Sequence, residues 1–192
     1  MKNFSRLMFV IAILSTLSAS AQSKTEKATF AGGCYWCMEE VFDKLDGVVS
    51  ATSGFASSPQ STGKAEAVEV TFDPAKISYQ QLLDAYWKNI DPSNNEGQFC
   101  DRGPQYRSGI FYHNDQQKTQ AEESKLETEK NFSKKKVVTP ILPAGQFFPA
   151  PPGEQDYYKN HAAQYKQYKM RCGRERRLHE LWGEEKKSNG AN

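Results

Sequence analysis

Charge of one sign is what this sequence most plainly lacks: 25 lysines and arginines stand against 23 aspartates and glutamates over 192 residues, a formal net charge of +2. So small an excess gives no footprint for nucleic acid. The one basic run, Lys134-Lys135-Lys136, reads as a solvated loop. Histidine is scarce as well. His113, His161 and His179 are unpaired, and Cys100 and Cys172 are single and far apart, so a four-ligand zinc site has no second short-spaced pair. No metal is expected. There is no internal repeat, and beyond the N-terminus no stretch is apolar enough to cross a membrane.

The N-terminus itself is different. Lys2 and Arg6 precede the short apolar run Leu7 to Leu14, and Ala19-Ser20-Ala21 has the small residues of a cleavage site. Residues 1–21 therefore read as a secretory signal peptide cut before Gln22. The expected mature protein is periplasmic or secreted, with no membrane contact after cleavage. Residues 22–26 read as a linker, 27–183 as one catalytic domain and 184–192 as a polar tail.

Cysteine is present but sparse: Cys34, Cys37, Cys100 and Cys172. In an exported protein an even count suggests structural disulfides. A chain of this length buries a core without such staples, which leaves a redox-active use open.

Patterning gives strands at Lys27–Ala31, Val48–Gly54, Ala65–Phe72, Ser108–His113 and Val137–Leu142. Helices are expected from Cys34 to about Gly47, from a Ser78 cap to about Asn89, from Asn114 to about Asn131, and over Glu154–Met170 and Gly173–Trp182. Ser57–Gly63 and the long polar stretch Asp91–Gln105 read as loops, and Pro143–Gly153 as irregular. The mixture implies one two-layer α+β domain, a mostly antiparallel sheet with packed helices.

The chemistry concentrates in "GGCYWCMEE", residues 32 to 40. Cys34 follows a strand and a Gly-Gly turn and opens a helix. Free N–H groups and the positive dipole end favour a thiolate there. Cys37 is one turn on, on the same face. Two inert thiols or a local disulfide would fit the same spacing. Tyr35 and Trp36 are either core aromatics or the walls of an apolar pocket beside a nucleophile, a pocket suited to a methyl on sulfur.

"GGCYWCMEEVFDKLDGV" resembles the signature of the A-type peptide methionine sulfoxide reductases, whose motif is Gly-Cys-Phe-Trp. "TGKAEAVEVTFDP" (62–74), "CDRGPQYRSGIFY" (100–112) and "QDYYKNH" (155–161) resemble three further segments of that family, in the same order. The resemblance spans about residues 27 to 170 and implies a ferredoxin-like core. It implies Cys34 as the nucleophile that attacks the sulfoxide sulfur of oxidised proteins and peptides, S epimer, leaving a sulfenic acid. It implies Glu66 as the acid that protonates the leaving oxygen, Tyr106 as a hydroxyl on that oxygen and Asp101 as a residue that orders the site. Apolar neighbours Ala65 and Ala67 would help Glu66 hold its proton. Trp36 and Tyr35 would hold the methyl. A second thiol then forms a disulfide that a thioredoxin-like reductant opens. The candidates are ordered Cys172, Cys37, Cys100, because the family keeps its resolving thiol near the C-terminus. No organic cofactor is needed.

The chain departs from the family pattern in three places. The stretch between Gly54 and Gly63 is short and lacks a tyrosine that helps bind the oxygen, Tyr35 replaces the usual Phe, and the tail holds one cysteine. Two rival readings remain from the residues alone. A thioredoxin-like dithiol oxidoreductase would use Cys34 and Cys37. A small secreted binding module would lock all four cysteines into structural disulfides.

Overall fold

Strand β1 (Glu26–Gly32) is buried without a break from Ala28 to Gly32, a condition only a central strand meets. In the computed structural model, which describes residues 24–132 and 136–183, β1 indeed lies inside a six-stranded sheet. The expected signal peptide, the polar tail and Lys134-Lys135 fall outside the described residues.

After β1 come helix α1 (Tyr35–Asp43), strands β2 (Val48–Ser58) and β3 (Ser61–Phe72), and helix α2 (Tyr79–Trp87). The two-residue strands β4 (Gly97–Gln98) and β5 (Asp101–Arg102) make a small separate hairpin, followed by a 3-10 turn at Pro104–Tyr106 and strand β6 (Ser108–Tyr112). Then follow α3 (Asp115–Asn131), β7 (Ile141–Pro143), β8 (Phe147–Pro149), α4 (Tyr157–Asn160), α5 (Ala162–Cys172) and α6 (Arg174–Trp182). The main sheet has the order β7-β6-β1-β3-β2-β8. All its pairings are antiparallel except β6 with β7. The domain is α+β, with helices packed on a mostly antiparallel sheet.

One face of the sheet carries the main core. Phe30 of β1 stacks on Phe42 of α1, ring centroids 4.9 Å apart, and on Tyr86 of α2 at 5.2 Å. Val68, Val70 and Phe72 of β3 add to it, with Leu82 and Leu83 of α2. On the opposite face Ala31, Ala65, Ala67 and Phe111 form a smaller cluster, covered by Leu142, Ala144 and Phe147.

Two helix starts follow their caps. The Ser78 side chain accepts from the Gln81 N–H and Gln81 reaches back, a full capping box, while Asn114 accepts from the Gln117 N–H. Elsewhere the structure differs from the pattern. Ser57–Gly63 is no loop: β2 and β3 pair out to Ser58 and Ser61, leaving only Pro59 and Gln60 as the turn. Val137–Leu142 shrinks to β7, because the Val138 N–H is spent on the Pro92 carbonyl. The irregular stretch after Pro143 contains β8, which pairs with the edge of β2. The expected helix from Glu154 is split at His161 into α4 and α5, and Glu154 itself lies in a preceding 3-10 turn at Pro152–Glu154.

The end of β1 is the part that positions the site. Tyr86 is fully buried. Its hydroxyl donates to the Ala31 carbonyl and accepts from the Gly109 N–H, both at 2.9 Å. The chain then turns through Gly33 at φ +84°, where a Cβ would come within 2.5 Å of Gln98 Cβ. Only glycine satisfies both demands. From the far end of the chain Arg174, buried in α6, reaches the Asn89 carbonyl and the Met38 sulfur.

Tyr86→Phe removes the hydroxyl and strands a buried N–H and C=O beside this turn. Urea unfolding should show a loss of about 1–3 kcal/mol. An unchanged midpoint would mean that water replaces the hydroxyl.

Candidate active site

Cys34 occupies the N-cap of α1, with the helix beginning at Tyr35. Cys34 is 5% exposed and Cys37 2%. Their side chains are hydrogen-bonded to each other. Tyr165 lies over them from α5, with Trp36, Tyr157, Tyr158 and Tyr168 packed around. Both thiols are free.

The pair shares its protons unequally. The hydrogen bond from Cys34 pulls Cys37 down to about 7 against the effect of burial, and the nearby Arg174 and Lys169 charges and the Tyr165 hydroxyl assist. The same hydrogen bond, then burial, push Cys34 up, opposed by the Tyr168 hydroxyl. The easily formed thiolate therefore sits on Cys37, although Cys34 holds the helix start. The hydrogen bond within the pair contributes most to this direction, and the Arg174 charge adds to it.

Glu66 comes from β3, opposite Phe55 of β2. Its Oε2 accepts the Tyr35 backbone N–H at 3.1 Å, which ties the acid to the first turn of α1. Burial raises Glu66 to about 7. The Tyr35 N–H opposes this, while Asp101 and Glu154 add to it. Asp101, on β5, accepts from the Tyr168 hydroxyl at 2.5 Å, and burial raises its pKa. Tyr106 ends the 3-10 turn that follows β5, and burial raises its pKa too.

These residues meet around one cleft of about 460 Å³. Cys34, Tyr35, Trp36, Glu66, Asp101 and Tyr106 all line it, together with Phe55, Pro151, Glu154 and Tyr168. Tyr35 meets Trp36 and Phe55 edge to face, centroids 5.9 and 5.8 Å apart. Trp36 stacks flat on Tyr157 at 3.9 Å. The cleft thus has an apolar wall, a sulfur at its base and a carboxyl that holds its proton near neutral pH.

The other two cysteines are elsewhere. Cys172, placed first in the order of candidates to meet Cys34, is bonded to Cys100 across 72 residues. The reason is the path of α5. It carries Tyr165 and Tyr168 across the thiols, and its last residue, Cys172, reaches the loop before Asp101. Of the three candidates, Cys37 alone touches Cys34. Cys100, Asp101 and Cys172 are the only His/Cys/Asp/Glu group with metal-like proximity among the described residues, and its two sulfurs are joined to each other.

Sequence reasoning missed Tyr168, Glu154 and Phe55. Tyr165 and Tyr168 stand three apart and Cys172 four further on, a spacing that puts them along one side of α5. That regularity was the available signal. Glu154 carried none.

A family model described as peptide methionine sulfoxide reductase matches residues 26–186. The peptide methionine sulfoxide reductase MsrA of Bacillus licheniformis is 45% identical over 172 residues, 83% of this chain and 95% of that protein. The crystal structure of Mxr1 from Saccharomyces cerevisiae in reduced form superposes with a TM-score of 0.67 at 27% identity, over 73% of this chain and 88% of that one. A structure of Mxr1 in complex with Trx2 superposes at 0.55 and 26% identity, over 71% of this chain and 86% of that one.

The raised pKa of Glu66 makes a stability prediction. Its folded value, about 7, lies above the ordinary 4.5. Between these values the native protein binds more protons than the unfolded chain, so stability falls as pH rises through that window. Glu66→Gln keeps an acceptor for the Tyr35 N–H and has no such dependence. Relative to wild type, the variant should gain stability from about pH 4.5 to about pH 7 and hold that gain above. Parallel pH profiles of urea midpoints would leave Glu66 with an ordinary pKa.

Proposed function

The chain belongs to the peptide methionine sulfoxide reductase family, an oxidoreductase family, and from that premise we propose that it reduces the S epimer of methionine sulfoxide, free and in oxidised proteins. One observation carries the mechanism: a thiol pair with a shared proton lies at the base of an aromatic-walled cleft, facing a carboxyl that still holds its proton near pH 7. A sulfoxide needs both at once. Its sulfur must be attacked, and its oxygen, a poor leaving group when bare, must be protonated.

The substrate methyl rests against Trp36 and the ring of Tyr35. The Cys37 thiolate takes the proton of Cys34 across their hydrogen bond, so that Cys34 attacks as a thiolate. Glu66 gives its proton to the oxygen, with the Tyr106 hydroxyl as a second donor. Asp101 orients Tyr168 beside Cys34. The S–O bond of the substrate breaks and an S–O bond to Cys34 forms, so that methionine leaves as the sulfide and Cys34, two electrons oxidised, carries the protonated oxygen as a sulfenic acid. The Cys37 sulfur, already in contact, then attacks Cys34, releasing water and forming a Cys34–Cys37 disulfide. A dithiol reductant of the thioredoxin kind returns the pair to thiols and is itself oxidised. The similarity to Mxr1, whose structure with Trx2 is solved, supports that reductant class. The Cys100–Cys172 bond instead holds Asp101 and Tyr168 in place.

We place this activity outside the cytoplasm, as repair of oxidised proteins. The signal-like pattern of residues 1–21 supports this, and a disulfide persists in such a compartment. The intact mass of protein recovered from the periplasm, starting at Gln22 or at Met1, decides it.

Cys34→Ser should abolish turnover of an acetylated methionine S-sulfoxide, because a serine hydroxyl is too weak a nucleophile. Glu66→Gln should slow the reduction step about a hundredfold or more. Equal turnover of both epimers would remove the epimer choice.

Recycling separates the cysteines. Cys37→Ser should give one turnover and stop at a sulfenic acid that dimedone traps, whereas Cys172→Ser should keep cycling. A Cys34–Cys172 peptide as the dominant linkage in oxidised wild type would restore the order expected from the tail.

A further inference from the structure

The cleft contains a carboxylate that the reduction step does not use. Glu154 lines it beside Glu66 and Asp101, and among the described residues no lysine or arginine lines it. The three carboxyls are not equivalent. Glu66 is engaged by the Tyr35 N–H and Asp101 by the Tyr168 hydroxyl. Glu154 is half-buried and lies close enough to Tyr35 that, after burial and Glu66, its charge raises the pKa of that hydroxyl. That hydroxyl exists only because tyrosine stands where the resembling motif has phenylalanine.

The backbone beneath Glu154 is fixed. Gln155 bonds through its side chain to the N–H and carbonyl of Ser53, each at 2.9 Å, and to the Ala150 carbonyl at 3.0 Å. The Asp156 N–H donates to the buried Glu39 at 3.1 Å. The main chain that carries Glu154 is thereby anchored beside the cleft. Its carboxylate has roughly four acceptor positions, which gives it capacity toward the substrate. The basic residues nearest in sequence to Glu66 and Tyr106 are committed elsewhere. Lys64 lies 3.4 Å above the Phe148 ring, and Arg107 donates to the Pro104 carbonyl at 2.8 Å.

We propose that Glu154, which lines the cleft with Tyr35, is a specificity-determining residue that receives a positively charged group beside the sulfoxide. Methionine sulfoxide flanked by lysine or arginine is the favoured class of substrate, and the same residue flanked by acids is disfavoured. Glu154 sets substrate choice through binding, and its effect on the Glu66 pKa is common to all substrates. The inference rests on the reductase reading above.

The test uses the full chain and two acetylated pentapeptides with a central methionine S-sulfoxide, identical except for lysine or glutamate on both sides. At low ionic strength the lysine peptide should lead by about fivefold in kcat/KM, through KM, as expected for one partly exposed pairing gained against one repulsion. The lead should shrink at 0.5 M salt, a concentration chosen to be about three times physiological. Glu154→Gln should remove most of the lead, and because the Glu154 charge also raises the Glu66 pKa, any change in kcat should fall equally on both peptides. Glu154→Lys should reverse it, and Lys64→Gln should leave it intact. A full lead in Glu154→Gln, or no lead in wild type, would overturn the assignment while leaving the reductase intact. Failure to reduce either peptide would instead bring down the reductase reading, and this inference with it.

Discussion

The hydrogen bond from the Tyr35 backbone N–H to Glu66 is the contact on which the site depends. It joins the first turn of α1 to the middle of the sheet. Through it the sulfur at the helix start and the proton donor on β3 keep a fixed relation, whatever occupies the cleft. The donor belongs to the main chain, so only the Glu66 side chain can move to break it. The bond favours the ionised carboxyl, yet burial and the neighbouring charges of Asp101 and Glu154 outweigh it, and Glu66 stays near 7. The acid is thereby held in place and kept protonated by opposing forces.

The thiols reflect a second balance. Burial to a few percent exposure protects them and makes a free charge expensive. Sharing one proton within the pair, near Arg174 and Lys169, lowers that cost for a single thiolate. Arg174 arrives from α6, the last described helix, and also clasps Asn89 and Met38. The C-terminal helices are thus part of the site's electrostatics. The Cys100–Cys172 bond secures them against the loop that carries Asp101.

Much of the fold was legible. Strand β1, the Ser78 and Asn114 caps and the helix opened by Cys34 follow from local chemistry that needs no distant partner. What local pattern misjudged was pairing. Ser57 to Gly63 looks polar enough for a loop, yet a strand paired along a hairpin tolerates polar residues on its solvent face. Phe147 to Pro149 becomes a strand only because the edge of β2 is there to receive it. Val137 and Val138 have strand-like side chains, but the Val138 N–H went to Pro92 and the ladder began later.

The sequence by itself determined the family, through four motifs whose residue types the chemistry demands, and it placed Cys34, Glu66, Asp101 and Tyr106 as candidates. Tertiary structure decided which of them meet and in what protonation state. A thiol's pKa depends on charges brought from residues more than a hundred positions away, as Arg174 and Lys169 are brought to Cys37. Which cysteine stands beside Cys34 depended on where α5 runs, and no spacing in the chain encodes that path. Glu154 shows the same limit: a lone carboxylate in a proline-rich stretch has no pattern, and only the approach of Tyr35 gives it a place in the cleft.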